Sequence, residues 1–84
     1  MSNKVFALTN GVIVGIPSGL YLYKVESPVT GTSKFAWSVN GEAPTDNAES
    51  ILVAAGYVYI EMPLCKITPT ITGDATAVLT QIRR

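Results

Sequence analysis

The amino-acid sequence predicts an all-β protein: a small β-sandwich or partly open barrel of about seven short antiparallel strands, with a jelly-roll-like arrangement as one form of it. Short runs rich in Val, Ile, Tyr and Thr recur along the 84 residues, and turn-forming residues separate them at close intervals. A chain of this length forms one domain at most. We therefore expect a single β domain over residues 1–84, ending in a short basic tail at residues 83–84.

Turn signals punctuate the chain at regular intervals. They consist of Gly, Pro, Asn, Asp and Ser residues, which favour tight changes of chain direction. In chain order they are Asn10-Gly11, Pro17-Ser18-Gly19, Ser27-Pro28, Gly31, Asn40-Gly41, Pro44, Gly56, Pro63 and Gly73-Asp74. The segments between them predict strands at roughly residues 4–9, 11–16, 20–26, 32–39, 57–62, 64–72 and 75–82.

The strand predicted at residues 20–26 has two largely apolar faces. Alternation divides its side chains into two sets: Tyr21, Tyr23 and Val25 on one face, and Leu20, Leu22, Lys24 and Glu26 on the other. The strand at residues 57–62 repeats the pattern, with Tyr57 and Tyr59 opposite Val58, Ile60 and Met62. A strand that is apolar on both faces is covered on both sides. We expect one cover to be the core and the other to be something else.

The strand predicted at residues 32–39 supplies the core anchors. Its two faces carry Ser33, Phe35, Trp37 and Val39 on one side, and Thr32, Lys34, Ala36 and Ser38 on the other. The first face holds both large aromatic side chains of the strand. We therefore predict that Phe35 and Trp37 anchor the core.

The segment between Asp46 and Gly56 fits two structures. A short helix would use Asp46 as its N-cap, Glu49 to complete a capping box and Gly56 as its stop signal. A loop followed by a strand at residues 51–54 is the alternative. We favour the loop and strand because the surrounding segments are all β.

Two strands are candidates for the edge of a sheet. Pro69 lies inside the strand at residues 64–72 and cannot donate a ladder hydrogen bond, which predicts an edge strand or a bulge. The N-terminal strand near Val5–Leu8 is the second candidate. An edge strand can add to the sheet of a neighbouring protein.

Composition indicates that the chain has partners. Hydrophobic residues make up 48% of the sequence and charged residues 14%, while a chain this short buries only about two-thirds of the surface that its unfolded form exposes. Small domains compensate with disulfides, metals or partners. A single cysteine, Cys65, allows no intrachain disulfide, and histidine is absent. We expect a homo-oligomer or docking on a larger assembly.

Several classes of partner and location fit the sequence poorly. The net charge is zero, so nothing suggests nucleic acid as a partner. No apolar run approaches the ~18 residues that span a bilayer, and the N-terminus lacks the apolar core of a signal peptide. We expect synthesis in a cytosol, which a lone cysteine also fits.

No catalytic site is apparent, so we expect a non-enzymatic protein without a cofactor. Nucleophilic catalysis needs a base to activate the nucleophile, and histidine, the usual base, is absent. Lys66 follows Cys65, but neighbours on a strand point to opposite faces and Lys66 would lower the thiol pKa poorly. We interpret Cys65 as a small buried apolar side chain.

The acidic residues do not form a recognisable site. Glu42, Asp46 and Glu49 share one predicted loop, and we interpret them as solvated charges. Two alternatives are a weak calcium site that includes Asn47 and an acidic patch for a basic tail. Their spacing does not match the EF-hand pattern, so we predict no metal site.

Four tyrosines and two arginines are candidate partner-binding residues. Tyr21 and Tyr23 form one pair and Tyr57 and Tyr59 another, each with both members on one strand face. Core packing explains such pairs, and so does a protein contact surface, where tyrosine is enriched. A sugar-stacking platform is a third interpretation. Arg83 and Arg84 are either a disordered tail or an arm that forms salt bridges with a partner.

Two segments resemble a known class of protein. They are "WSVNG" at Trp37–Gly41 and "ITGDATAVLTQI" at Ile71–Ile82. The order of strands and turns around them resembles the small all-β virion proteins of tailed bacteriophages, which include capsid decoration proteins and minor head- or neck-associated proteins. The resemblance covers most of the chain. It implies a structural, non-enzymatic role, often as an oligomer on a capsid or connector, and it transfers no specific binding residue.

The functional prediction follows from this resemblance together with the composition. We expect a decoration or cement subunit that packs on a phage capsid and stabilises it, with the major capsid protein or other virion proteins as partners. Its location would be the virion, after synthesis in the host cytoplasm. A neck, tail or head-fibre component is one alternative. A small carbohydrate- or receptor-binding module that uses surface tyrosines is another.

Overall fold

The described part of the chain contains eight β-strands. The computed structural model describes residues 4–27, 30–39 and 50–84, with residues 50–53 described by their backbone alone. The strands are β1 (Val5–Leu8), β2 (Val14–Ile16), β3 (Gly19–Glu26), β4 (Thr32–Ser38), β5 (Ser50–Val53), β6 (Gly56–Met62), β7 (Cys65–Thr72) and β8 (Thr76–Arg83). The prediction of an all-β fold is confirmed.

The strands form two four-stranded antiparallel sheets with jelly-roll connectivity. The first sheet has the order β1-β8-β3-β6 and the second the order β2-β7-β4-β5. The pairs β1–β8, β2–β7, β3–β6 and β4–β5 fall alternately in the two sheets. This is the pattern of a long hairpin that is wrapped into a sandwich, which defines the eight-stranded jelly roll.

The ambiguous segment after Asp46 contains a strand. Ser50–Val53 pairs with Ser33–Ala36 in the second sheet, so the loop-and-strand interpretation is confirmed for these residues. The helix interpretation is wrong for them. Its proposed N-cap and capping-box residues, Asp46 and Glu49, lie outside the described residues.

The prediction that residues 64–72 form an edge strand is wrong, because β7 lies between β2 and β4. Pro69 is tolerated because β2 is short and its pairing with β7 stops at Ile67. Beyond that point the Asn10-Gly11 turn covers β7. The Gly11 N–H donates to the Pro69 carbonyl over 2.8 Å, and Asn10 Oδ1 accepts from the Ile71 N–H over 2.9 Å. The N-terminal strand, β1, is an edge strand as expected.

The core lies between the two sheets and is centred on aromatic side chains of β3 and β4. The rings of Tyr23 and Phe35 meet edge to face across the sandwich, with centroids 5.2 Å apart and planes at 70°. The Tyr23 hydroxyl also shares a hydrogen bond with Ser33 Oγ. Buried residues of the same cluster are Leu8, Ile16, Tyr21, Val25, Met62, Cys65, Ile67, Ala77 and Leu79.

The two predicted core anchors have different environments. Phe35 is 1% exposed, which confirms its prediction. Trp37 is half-buried and packs against the core from its margin. The inward face of β4 becomes more open toward its C-terminal end, since Val39, just beyond the strand, is exposed.

Tyr21 ties the entry of β3 to the preceding turn. Its hydroxyl donates to the Pro17 carbonyl over 2.7 Å, four residues earlier in the chain. β-Sandwiches commonly contain such a tyrosine corner. The ring of Tyr21 also meets that of Phe6 at 6.3 Å, so one side chain connects a turn, the core and β1.

Candidate interaction surface

The two outer faces of the sandwich differ in chemistry. On the first sheet, the register aligns outward side chains in rows that cross all four strands. One row contains Val5, Thr80, Leu22 and Tyr59, and the next contains Ala7, Val78, Lys24 and Tyr57. We call these eight residues the apolar outer face, because six of them are aliphatic or aromatic.

The outer positions of β4 and β7, the two central strands of the second sheet, are mostly polar. Their register pairs Thr32 with Thr72, Lys34 with Thr70, Ala36 with Thr68 and Ser38 with Lys66. Among these described side chains only one, Ala36, is apolar. The described outer positions of β4 and β7 are therefore those expected of strands in contact with water, whereas the outer positions of the first sheet are mostly apolar.

Large apolar side chains on the apolar outer face are accessible. Val5 is 62% exposed, Tyr57 66% and Tyr59 59%, while Leu22 and Val78 between them are half-buried. The tyrosine rings meet edge to face at 6.0 Å. Several exposed apolar side chains grouped on one face of a sheet are typical of a protein contact site.

Charged side chains on and beside the apolar outer face balance one another. Lys24 Nζ lies 3.6 Å from Glu26 Oε1, and an Arg83 nitrogen lies 3.9 Å from Glu61 Oε1. All four side chains are well exposed, so each pair contributes about 0–1 kcal/mol to stability. Their arrangement of two bases and two acids suits a partner surface without a strong net charge.

The structure separates the predicted partner-binding tyrosines into two groups. Tyr21 and Tyr23 are both fully buried, so they belong to the core and are not available to a partner of the folded chain. Tyr57 and Tyr59 lie on the apolar outer face and are exposed. The two-residue spacing could not distinguish the pairs, because it does not reveal which strand face points inward.

One of the two residues of the predicted basic tail is part of a strand. Arg83 is the last residue of β8 and pairs with Leu20, so the prediction of a tail at residues 83–84 is wrong for Arg83. Its salt bridge is with Glu61 of its own chain. Arg84 alone follows β8, and it lines a shallow cavity beside Gly19 and Glu61.

Val5 and Val78, the large apolar members of the apolar outer face on β1 and β8, were not predicted from the sequence. Neither β1 nor β8 shows a clear alternation of apolar and polar residues. Their sequences therefore did not indicate that the outward face of each strand is apolar. Only the register aligns Val5 and Val78 with the rows that contain Leu22 and Tyr57.

An apolar hollow lies on the second sheet. It has a volume of about 320 Å³ and is lined by Gly15, Ser38, Val39, Leu64, Cys65 and Lys66. Leu64 is 72% exposed at its rim.

The titratable groups of the core are held in their neutral forms. Burial raises the pKa of the Cys65 thiol above its ordinary value, so the thiolate, which is the reactive form, is disfavoured. Burial also raises the pKa of Tyr21 and Tyr23. For Tyr23 the hydrogen bond with Ser33 partly opposes this effect.

No group of three or more metal-binding side chains comes together within the described ranges. The acidic residues considered for calcium, Glu42, Asp46 and Glu49 with Asn47, lie outside those ranges. None of the described elements is a helix with the length and apolarity needed to cross a bilayer.

Comparisons with known proteins do not place the chain in a family. No protein-family model, curated protein or solved structure matches it.

Proposed function

We propose that this protein is a non-enzymatic structural subunit that decorates a tailed-phage capsid and stabilises it. The observation that carries the proposal is the apolar outer face, whose two rows of outward side chains cross all four strands of one sheet and expose Val5, Tyr57 and Tyr59. The virion assignment itself rests on the resemblance of "WSVNG" and "ITGDATAVLTQI" to small phage virion proteins.

The fold is compatible with this role. Jelly rolls form many viral capsid domains, and they also occur in lectins and enzymes. A fold alone therefore does not define a function. Rows of mostly apolar outward side chains cross all four strands of the first sheet, whereas the outer positions of β4 and β7 are mostly polar. A free monomer in water has no need for such apolar rows.

The mechanism is the burial of this face against the major capsid protein or another virion protein. Burying a large apolar side chain contributes roughly 1.5–3 kcal/mol, and Val5, Tyr57 and Tyr59 are each more than half exposed. A subunit that contacts two capsid proteins in this way holds them together by non-covalent contacts, without a catalysed reaction. A partner that binds only the folded chain also stabilises the chain by mass action.

The test is co-sedimentation with heads of the phage whose genome encodes the chain, assembled without it. We expect binding that saturates at a copy number set by the lattice symmetry, and heads that resist a higher temperature. Leu22→Lys, at the centre of the apolar outer face, should abolish binding. Thr70→Lys places the same charge at a polar outer position of β7 and should bind normally. No binding by the unaltered chain, or equal binding by both variants, would refute the proposal.

Glycan or receptor binding is the second candidate function, and the exposed pair Tyr57 and Tyr59 favours it. Their rings lie nearly perpendicular, at 82°, so a sugar could stack on one ring beside the edge of the other. A glycan array decides this alternative. Specific hits that Tyr57→Ala removes would support it, and an array without hits would exclude it for the sugars tested.

A further inference from the structure

The strand β6 leaves a long, regular backbone edge open. It runs for seven residues and pairs with β3 from Gly56 to Met62 without a register shift. No strand among the described residues lies on its other side. The other edge strands, β1, β2 and β5, have four, three and four residues, so β6 offers the longest open edge in the described sheets.

Side chains on both faces of β6 are uncovered. Val58 pairs with Tyr23, whose side chain is fully buried, so Val58 points to the core side of the sheet. It is nevertheless 38% exposed. Tyr59 points to the opposite side and is 59% exposed. Exposure on both faces is the pattern expected of a strand that lacks a lateral neighbour, and one added strand would cover both.

The usual protections of an edge strand are sparse in β6. Natural edge strands carry lysines, prolines, bulges or inward-pointing charges that prevent pairing with another chain. Between Gly56 and Met62 the sequence GYVYIEM contains one charged residue, Glu61, and no lysine or proline. The regular pairing with β3 also excludes a bulge in this strand. The strand is therefore competent to pair.

We infer that β6 pairs antiparallel with β6 of a second copy of the chain, about a two-fold axis through Tyr59. The two four-stranded first sheets then become one eight-stranded sheet. Tyr59 lies opposite Tyr59 of the second copy, Tyr57 lies opposite Glu61, and Val58 lies opposite Ile60. A two-fold interface uses the same surface patch on both subunits, and this strand is self-complementary in that arrangement.

Charge favours the antiparallel arrangement of two β6 strands, and length favours a second copy as the occupant. Antiparallel pairing about Tyr59 places each Glu61 carboxylate opposite a Tyr57 hydroxyl, which can donate a hydrogen bond to it, whereas in-register parallel pairing would oppose Glu61 with Glu61. Like charges directly opposite destabilise a sheet. Of the described edges, only another β6 is long enough to pair with all seven residues. The inference goes beyond the proposed virion role and does not depend on it.

The test is the mass of the purified full chain in solution, measured by light scattering from low to high micromolar concentration. We expect a dimer. Tyr59→Lys places two lysines opposite each other at the axis and should weaken dimerisation by about tenfold or more. Val5→Lys is the matched control, because Val5 is equally exposed in the same row but at the other edge of the sheet. Circular dichroism confirms that both variants are folded.

Cross-linking reports the geometry directly. Under mild oxidation, Tyr59→Cys should form a covalent dimer, while Val5→Cys should not and the buried Cys65 should remain a thiol. A chain that is monomeric at every concentration would overturn the inference. So would a dimer that is weakened equally by Tyr59→Lys and Val5→Lys, or one that Val5→Cys cross-links. None of these outcomes bears on binding to phage heads, which is measured separately.

Discussion

The hydroxyl groups of Tyr23 and Ser33 form a hydrogen bond inside the core, where β3 of the first sheet faces β4 of the second. Both residues are fully buried. Each hydroxyl is therefore the partner that makes burial of the other acceptable, since a buried polar group without a hydrogen bond is costly. The bond connects the two sheets across the core.

Removal of one hydroxyl should cost more than removal of both. Ser33→Ala leaves the Tyr23 hydroxyl unpaired in the core, and we expect a loss of about 1–3 kcal/mol in the free energy of unfolding. Tyr23→Phe should have a loss of similar size. The double variant should lose less than the sum, because no unpaired hydroxyl remains. Urea denaturation of the four proteins measures this coupling, and strictly additive losses would contradict it.

The hydrogen bond of the tyrosine corner, from Tyr21 to the Pro17 carbonyl, should make a similar contribution to the free energy of unfolding. Tyr21→Phe removes the donor to the Pro17 carbonyl but keeps the ring in the core, so we expect a loss of about 1 kcal/mol. For a domain of this size, such a loss corresponds to a decrease in Tm of roughly 4–8 °C. Tyr59→Phe, on the exposed strand β6, is the control, because the ring is kept and the Tyr59 hydroxyl has no hydrogen bond among the described residues; it should leave Tm nearly unchanged. Equal Tm values for the two variants would argue against the corner.

Strand positions could be predicted from the sequence because alternation and turn residues are local signals. Sheet order could not, because it depends on which strands pair across the whole chain. Pro69 illustrates the difference. Its missing N–H predicted an edge strand, but β2 ends at Ile16, opposite Cys65, and starts at Val14, opposite Ile67. The proline thus lies in an interior strand, at a position that β2 does not reach.

The same limit applies to the interaction surface. Tyr21 and Tyr23 have the same residue type and spacing as Tyr57 and Tyr59, yet one pair is buried and the other exposed. The register opposes Tyr23 with Val58 and Leu22 with Tyr59, so the tyrosines of β3 and β6 point to opposite faces. Only long-range strand pairing determines which side chains of each strand point into the core.

Stability should decrease at alkaline pH. Burial raises the pKa of Tyr21 and Tyr23 above 10.0 and that of Cys65 above 9.0. Above these values the unfolded chain releases protons that the folded chain still holds. The free energy of unfolding therefore falls as pH rises past about 9 and continues to fall up to the folded-state pKa values.

Urea denaturation between neutral pH and about pH 11 measures this dependence. A variant with Tyr23→Phe and Cys65→Ala removes two of the three groups, so its stability should fall less steeply with pH than that of the unaltered chain. Parallel pH profiles for the two proteins would show that these groups do not control the alkaline transition.

Gly31 should tolerate no side chain. The turn between β7 and β8 packs directly on it: an added Cβ would lie 2.5 Å from the Ala75 nitrogen and 2.7 Å from the Thr72 carbonyl oxygen. These are backbone atoms, which cannot move aside as a flexible side chain would. The Gly31 N–H also donates to Ser27 Oγ over 2.5 Å, so a displaced Gly31 would lose this bond.

We therefore expect Gly31→Ala to lower the free energy of unfolding by about 1–3 kcal/mol, the usual cost of overpacking. Gly15→Ala is the matched control, because an added Cβ at Gly15 in β2 meets no atom within 4 Å. An alanine there should leave stability unchanged or raise it slightly, since alanine loses less backbone entropy on folding than glycine. Thermal melting of both variants measures the difference. If the Gly31→Ala protein has the same Tm as the unaltered chain, the β7–β8 turn does not pack against Gly31 in solution.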